Sequence, residues 1–138
     1  MRNILSLIAL SLISTSWSAL AIAEEYAATQ TMAKSYQGVP YLSGGIGDEE
    51  RDEILAREKN FNLKLVFAEK TGSYIADVDI VVLNAKGQAV LEANSSGPLF
   101  LTTLPAGSYR VKLTANGQTQ QATFLISGKG RLARTFLW

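Results

Sequence analysis

The sequence predicts an all-β protein: a seven-stranded antiparallel β-sandwich, with a short N-terminal helix and arm before it and a signal peptide before both. Three observations carry that expectation. From residue 60 onward apolar and polar residues alternate with a period of two, the pattern of strands with one face in a core. Turn-forming residues interrupt the alternation at near-even spacing, as in an antiparallel sandwich or barrel. The run Leu104-Pro105-Ala106-Gly107-Ser108-Tyr109-Arg110-Val111 sets a turn directly against an alternating strand. Proline presets φ there and glycine permits positive φ.

The strands are taken in order. Residues 61–68 place Phe61, Leu63, Leu65 and Phe67 on one face and Asn62, Lys64, Val66 and Ala68 on the other. After a turn at 70–73, residues 74–82 turn Tyr74, Ala76, Val78, Ile80 and Val82 to the core and Asp77 and Asp79 away. Asn84-Ala85-Lys86-Gly87 is a glycine-containing hairpin turn. Residues 88–93 form the third strand, 94–97 turn, and 98–104 form the fourth, with Pro98 tolerated at its start. Residues 107–115 bury Tyr109, Val111 and Leu113, and Asn116-Gly117 is a two-residue hairpin signal. Residues 118–126 then pack Ala122, Phe124 and Ile126, and 131–138 complete the set with Phe136 and Trp138.

Residues 1–23 have the grammar of a cleaved signal peptide. Arg2 is the positive start, residues 4–13 are apolar, and a small-residue tail holds Ala19-Leu20-Ala21 and Ala21-Ile22-Ala23. The apolar run falls short of the roughly 20 residues a membrane span needs. No cysteine comes after it for lipid attachment. A periplasmic protein that does not span the membrane after cleavage is expected. Residues 24–36 read as a frayed or partly helical leader. Residues 37–47 read as a glycine-rich loop with Pro40, whose Val39, Tyr41, Leu42 and Ile46 make an arm lying on an edge or end of the sandwich. Residues 48–59 read as a helix, with Asp48 as N-cap and Glu49 and Glu50 complementing the dipole. Its apolar stripe is only Ile54, Leu55 and the stem of Arg51, so it depends on docking. Thus 24–59 precede a β-domain at 60–138.

The chain has 13 Lys+Arg and 12 Asp+Glu. Removal of Arg2 leaves the charges balanced, which argues against nucleic acid or an anionic membrane as partner. Residues 24–58 hold eight acids and three bases, whereas residues 59–138 hold nine bases and four acids. There is no cysteine and no histidine. An apolar core must therefore hold the fold, and the usual ligands of zinc, copper and haem iron are lacking; no cofactor is expected.

Other constellations fall short. Gly44-Gly45 is succeeded by acids, where a phosphate loop needs a longer glycine pattern and a lysine. The acids at 48–58 lack the central glycine of a calcium loop. Asp77 and Asp79 could serve acid/base work or a hard cation, but read as a solvated sheet face or a guard against edge pairing. Tyr41, Tyr74, Tyr109, Phe100 and Trp138 could form a sugar-stacking platform; Tyr109 and Trp138 fall in core phase, which leaves Tyr41 as the exposed candidate. The terminal Phe136-Leu137-Trp138 resembles the end of an outer-membrane strand, but several strands are too short and Arg134 breaks the apolar band.

The runs D-V-D-I-V-V-L-N-A-K-G-Q-A-V and G-P-L-F-L-T-T-L-P-A-G-S-Y-R-V resemble the carboxypeptidase regulatory-like domain, a prealbumin-like (transthyretin-type) sandwich related in shape to Cna-B domains. The similarity covers about residues 60–138. Tyr41-Leu42-Ser43-Gly44-Gly45-Ile46-Gly47 and the acidic helix resemble small exported proteobacterial proteins containing little else. The resemblance implies a non-catalytic accessory role. Enzymes of related fold use histidines, which this chain lacks, and the Cna-B lysine cross-link has no Asn or Asp at 131–138 to receive Lys64.

The expected function is a periplasmic module that binds an envelope protein or, alternatively, a glycan. Its candidate surface is Tyr41, Leu42 and Ile46 of the arm with Asp48, Glu49, Glu50 and Arg51 of the helix.

Overall fold

The computed structural model describes residues 33–138. The signal peptide expected at 1–23, and the leader up to residue 32, lie outside the described residues. The described chain opens on a hairpin of β1 (Ala33–Tyr36) and β2 (Val39–Gly44), then forms α1 (Asp48–Arg57) and a 3-10 turn (Glu58–Asn60). The sandwich strands come next: β3 (Leu63–Ala68), β4 (Asp79–Leu83), β5 (Ala89–Asn94), β6 (Leu99–Thr102), β7 (Gly107–Ala115), β8 (Gln118–Ile126) and β9 (Leu132–Leu137). One sheet has the order β1-β2-β6-β3-β9 and the other β5-β4-β7-β8.

The all-β, two-sheet expectation holds, with two corrections. The described strands number nine rather than seven. The end of the expected leader and the expected glycine-rich loop are β1 and β2, added as one hairpin to the five-stranded sheet. Pro40 is tolerated because β2 pairs with β6 only from Tyr41 onward, so no ladder bond to β6 is lost at the proline. Nor is the sandwich wholly antiparallel: β3 and β9 run parallel, from Leu63–Leu132 to Ala68–Leu137. β9 reaches this sheet from β8 in the other one, so no hairpin sets its direction relative to β3.

Between the sheets lies the main core. Leu63, Leu65 and Phe67 of β3 face Ile80, Val82, Val111 and Leu113, all at most 1% exposed. β7 and β8 have the bounds the sequence predicts, 107–115 and 118–126. Asn116 and Gly117 both take positive φ, 52° and 72°, as a twist-matched two-residue turn requires. β4 is shorter than predicted. Asp77 sits at φ 59°, and before it only an isolated bridge joins Ala68 to Tyr74. Tyr74 is therefore 56% exposed and not core-facing.

A second, smaller core lies on the outer face of the five-stranded sheet. Ile54, fully buried, sits with Leu42, Leu99 and Leu101, bordered by Phe61 and Val66. Phe61 thus belongs under α1 rather than in the main core. Every residue of β6 is buried, because a central strand covered on both faces loses its alternation. Asp48 is not the N-cap. Gly47 holds that position with no side-chain cap bond, and Glu50 reaches back to accept the Ile46 N–H at 3.2 Å. The Leu104–Tyr109 turn is closed from within: the Tyr109 hydroxyl donates to the Pro105 carbonyl at 2.7 Å.

Candidate interaction surface

The seven residues singled out by sequence separate into two groups. β2 alternates across its sheet, so Tyr41 and Leu42 point in opposite directions. Tyr41 packs at the border of the main core, stacked on Phe100 at 5.3 Å between centroids. Leu42, 1% exposed, lies beneath Ile54. Neither is the accessible arm residue expected: backbone pairing with β6 turns one inward, and α1 covers the other.

The chain then rises off the sheet into α1. Glu50 and Ile54 lie over Gly44 where a side chain would project. Ser43 and Ser96 tie this corner to the β5–β6 turn: the Ser96 N–H donates to Ser43 Oγ and Ser96 Oγ donates to the Ser43 carbonyl, each at 3.0 Å. Beyond the corner Ile46 stands 67% exposed.

Arg51 organises the first turn of α1. Its guanidinium donates to Asp48 Oδ1 at 2.8 Å and to the Ile46 carbonyl at 3.5 Å. It also lies over the Tyr74 ring, 4.9 Å from the centroid, a favourable site for a cation. Its Nε is buried without a hydrogen-bond partner. Arg51 is therefore committed internally, and so is Glu50. Asp48 and Glu49 are exposed. Asp52 and Glu53, four residues further on, share their outward face, as the helical period dictates. The surface left is Ile46 and Tyr74 beside a run of carboxylates. Sequence reasoning missed Asp52 and Glu53, which that period could have supplied. It also missed Tyr74, whose apparent strand phase hid it.

Three other places were candidates for chemistry. A cleft of about 360 Å³ lined by Glu58, Phe61, Lys64, Arg131 and Leu132 lies beside the 3-10 turn. There Glu58 accepts from Lys64 at 2.8 Å and pairs with Arg131 at 3.4 Å. Chiefly through the Lys64 hydrogen bond, with the charges of Lys64 and Arg131 adding to it, the Glu58 carboxyl is held below its ordinary range. It is ionised at neutral pH and cannot act there as a proton donor. A second, polar cleft of about 370 Å³ lies between Asn84–Gly87 and Ser108–Arg110. The Asp77 and Asp79 carboxylates both accept from Asn94 Nδ2, at 2.8 Å each, a contact that holds the irregular start of β4 against β5.

Among the described residues no group of three or more His, Cys, Asp or Glu could hold a metal ion, and no helix is long and apolar enough to cross a membrane. The aromatic platform is not assembled. Phe100 and Tyr109 are buried, Trp138 packs edge-on to Phe67, and of the five rings only Tyr74 is exposed. No protein-family model matches the chain, and no curated protein matches it.

Proposed function

We propose that the protein is a non-catalytic β-sandwich module of the periplasm that docks on a protein partner through Ile46, Tyr74 and the outward acids of α1. The observation that carries this reading is local. The four exposed large hydrophobic residues described are Ile46, Tyr74, Leu125 and Leu137, and the first two border the single guanidinium of Arg51. Asp48, Glu49, Asp52 and Glu53 stand next to them in the solvent. An apolar anchor rimmed by charge of one sign suits a partner with a basic rim around an apolar recess. The conformation costs little to present, because α1 is already seated by Ile54 and Arg51 is already held.

The finer placement, a carboxypeptidase regulatory-like domain of prealbumin-like form, belongs to the same proposal. It is supported by the sequence resemblance and by the division of β3–β9 into three strands of one sheet and four of the other. The absence of histidine and cysteine and the commitment of Glu58, Asp77 and Asp79 to structural contacts support a role without catalysis. A glycan partner finds less support, since one exposed ring makes no stacking platform.

The test is retention of an envelope protein on immobilised variants. Ile46→Ser combined with Glu49→Lys and Glu53→Lys is expected to abolish retention. Lys112→Glu, on the outer face of the opposite sheet, is expected to preserve it. Equal retention by wild type and both variants would remove this surface from consideration.

A further inference from the structure

The turns before β5 and β7 flank a cleft on the sheet that α1 does not cover. β5 carries one residue more than β4 opposite it: Val82 pairs with Leu91 but Leu83 with Ala89, which leaves Val90 as a bulge. A bulge bends its strand, and at this end of the sheet the polar cleft of about 370 Å³ opens between Asn84–Gly87 and Ser108–Arg110. The turn wall is fixed: Asn84 Oδ1 accepts the Lys86 and Gln88 N–H groups, each at 3.0 Å. The other wall is fixed by Tyr109, whose hydroxyl is held on the Pro105 carbonyl.

The charges on this cleft are of one sign. Lys86 lines it from the turn, and Arg110 lines it from β7, between Leu83 of β4 and Thr123 of β8. Arg51, Lys64 and Arg131 each have a carboxylate partner. Among the described residues no ion pair or hydrogen bond engages the side chain of Lys86 or Arg110. No Asp or Glu lines the cleft. Asp79 pairs with Thr114, four residues along β7 from Arg110, a separation of about 13 Å, and its carboxylate accepts from Asn94. Glu92 lies two strands from β7 and acts on Tyr36 of β1. A concavity lined by cations alone concentrates anions.

We propose that this cleft binds a soluble phosphomonoester, with its phosphate between Arg110 and Lys86. The guanidinium fork takes two phosphate oxygens and the ammonium takes the third as a point charge. The hydroxyls of Ser108 and Thr123, both on the cleft wall, are further donors. A carboxylate, with two oxygens in one plane, leaves part of this donor set unmatched. The volume lies near the lower end of small-molecule sites, about 300 Å³, so the phosphate carries a small polar body. The site is independent of the docking surface at Ile46 and Tyr74.

Calorimetric titration with glycerol phosphate is expected to show binding that weakens in salt, and inorganic phosphate is expected to compete for it. Glycerate is expected to bind about tenfold or more weakly, and glycerol not at all. Amide NMR shifts on adding glycerol phosphate are expected at residues 84–87 and 108–110 and not in α1. Arg110→Gln and Lys86→Gln, both at exposed positions, are each expected to weaken binding about tenfold or more without lowering Tm. Lys34→Gln removes the same charge from β1 and is expected to leave binding intact. Phosphatidylcholine vesicles containing phosphatidic acid are expected not to retain the protein. The proposal is overturned if neither phosphate probe binds at up to about 10 mM, if glycerate binds as tightly, if Lys34→Gln weakens binding as much as Arg110→Gln, or if the vesicles retain the protein while glycerol phosphate does not bind.

Discussion

The Gly97 backbone lies directly against that of Gly44. A methyl group built on Gly97 would overlap the Gly44 carbonyl group and Cα, so the β5–β6 turn and the end of β2 fit only without a side chain. Gly97→Ala is expected to destabilise the protein by about 1–3 kcal/mol, seen as a Tm lowered by several degrees. Gly47→Ala is the contrast. It has nothing within 4 Å and an ordinary φ of −89°, so its cost should be confined to the preference of an N-cap for glycine over alanine, about 0.5 kcal/mol, and its Tm should fall less than that of Gly97→Ala.

Ile54 is the one residue α1 buries fully. Ile54→Ala removes the contact with Leu42, Leu99 and Leu101 and is expected to cost about 2–5 kcal/mol. Amide exchange locates the loss: α1 should exchange faster, whereas β7 and β8 keep their relative protection. The same variant should weaken retention of the partner proposed for Ile46 and Tyr74, since it unseats the helix.

Asn62 stitches β3 to the turn after β6. Its Nδ2 donates to the Leu104 carbonyl at 2.8 Å and its Oδ1 accepts the Leu104 N–H at 3.0 Å. Asn62→Ala leaves both part-buried groups without a partner. A loss of about 2 kcal/mol in urea unfolding is expected, at about 1 kcal/mol per hydrogen bond. Tyr109→Phe, which removes only the bond to Pro105, should cost about half as much.

Glu58 gives the stability a dependence on acid. Its carboxyl is lowered from 4.5, first by the Lys64 hydrogen bond. A group lowered on folding stabilises the native state above its unfolded value, and that contribution is lost as pH falls through the folded value. Wild type should therefore exceed Glu58→Gln at pH 7 and converge with it on acidification. The side chain is 30% exposed, so the difference should be no more than about 1 kcal/mol and should shrink in salt.

Much of this architecture was legible in the sequence, and the illegible part has a physical reason. Alternation marks strands that face a core on one side and water on the other, as β7 does, with Arg110 and Lys112 out and Val111 and Leu113 in. It failed where that condition fails. β2 carries Pro40 and ends in Gly44, so its composition reads as loop although it pairs on both sides, whereas β6, covered on both faces, is still bounded as a strand by the turns around it. The backbone kink at Asp77 breaks the predicted phase, so that Ile75 packs against the main core and Tyr74 stands exposed. The candidate surface was half legible. Ile46, Asp48 and Glu49 lie outward as their positions suggested. The fates of Tyr41 and Leu42 depended on β6, a strand about sixty residues further along, and no local pattern reports that.

The parallel seam between β3 and β9 has a consequence for how the chain assembles. A polypeptide growing from its N-terminus can form the β4–β5 and β7–β8 hairpins from neighbouring residues, but residues 63–68 must wait for residues 132–137 before that flank of the sheet is zipped. Until the last strand arrives, β3 presents a bare apolar border. Closure of that flank thus waits on residues 132–137, and a chain stopped short of residue 132 would be the form most open to mispairing.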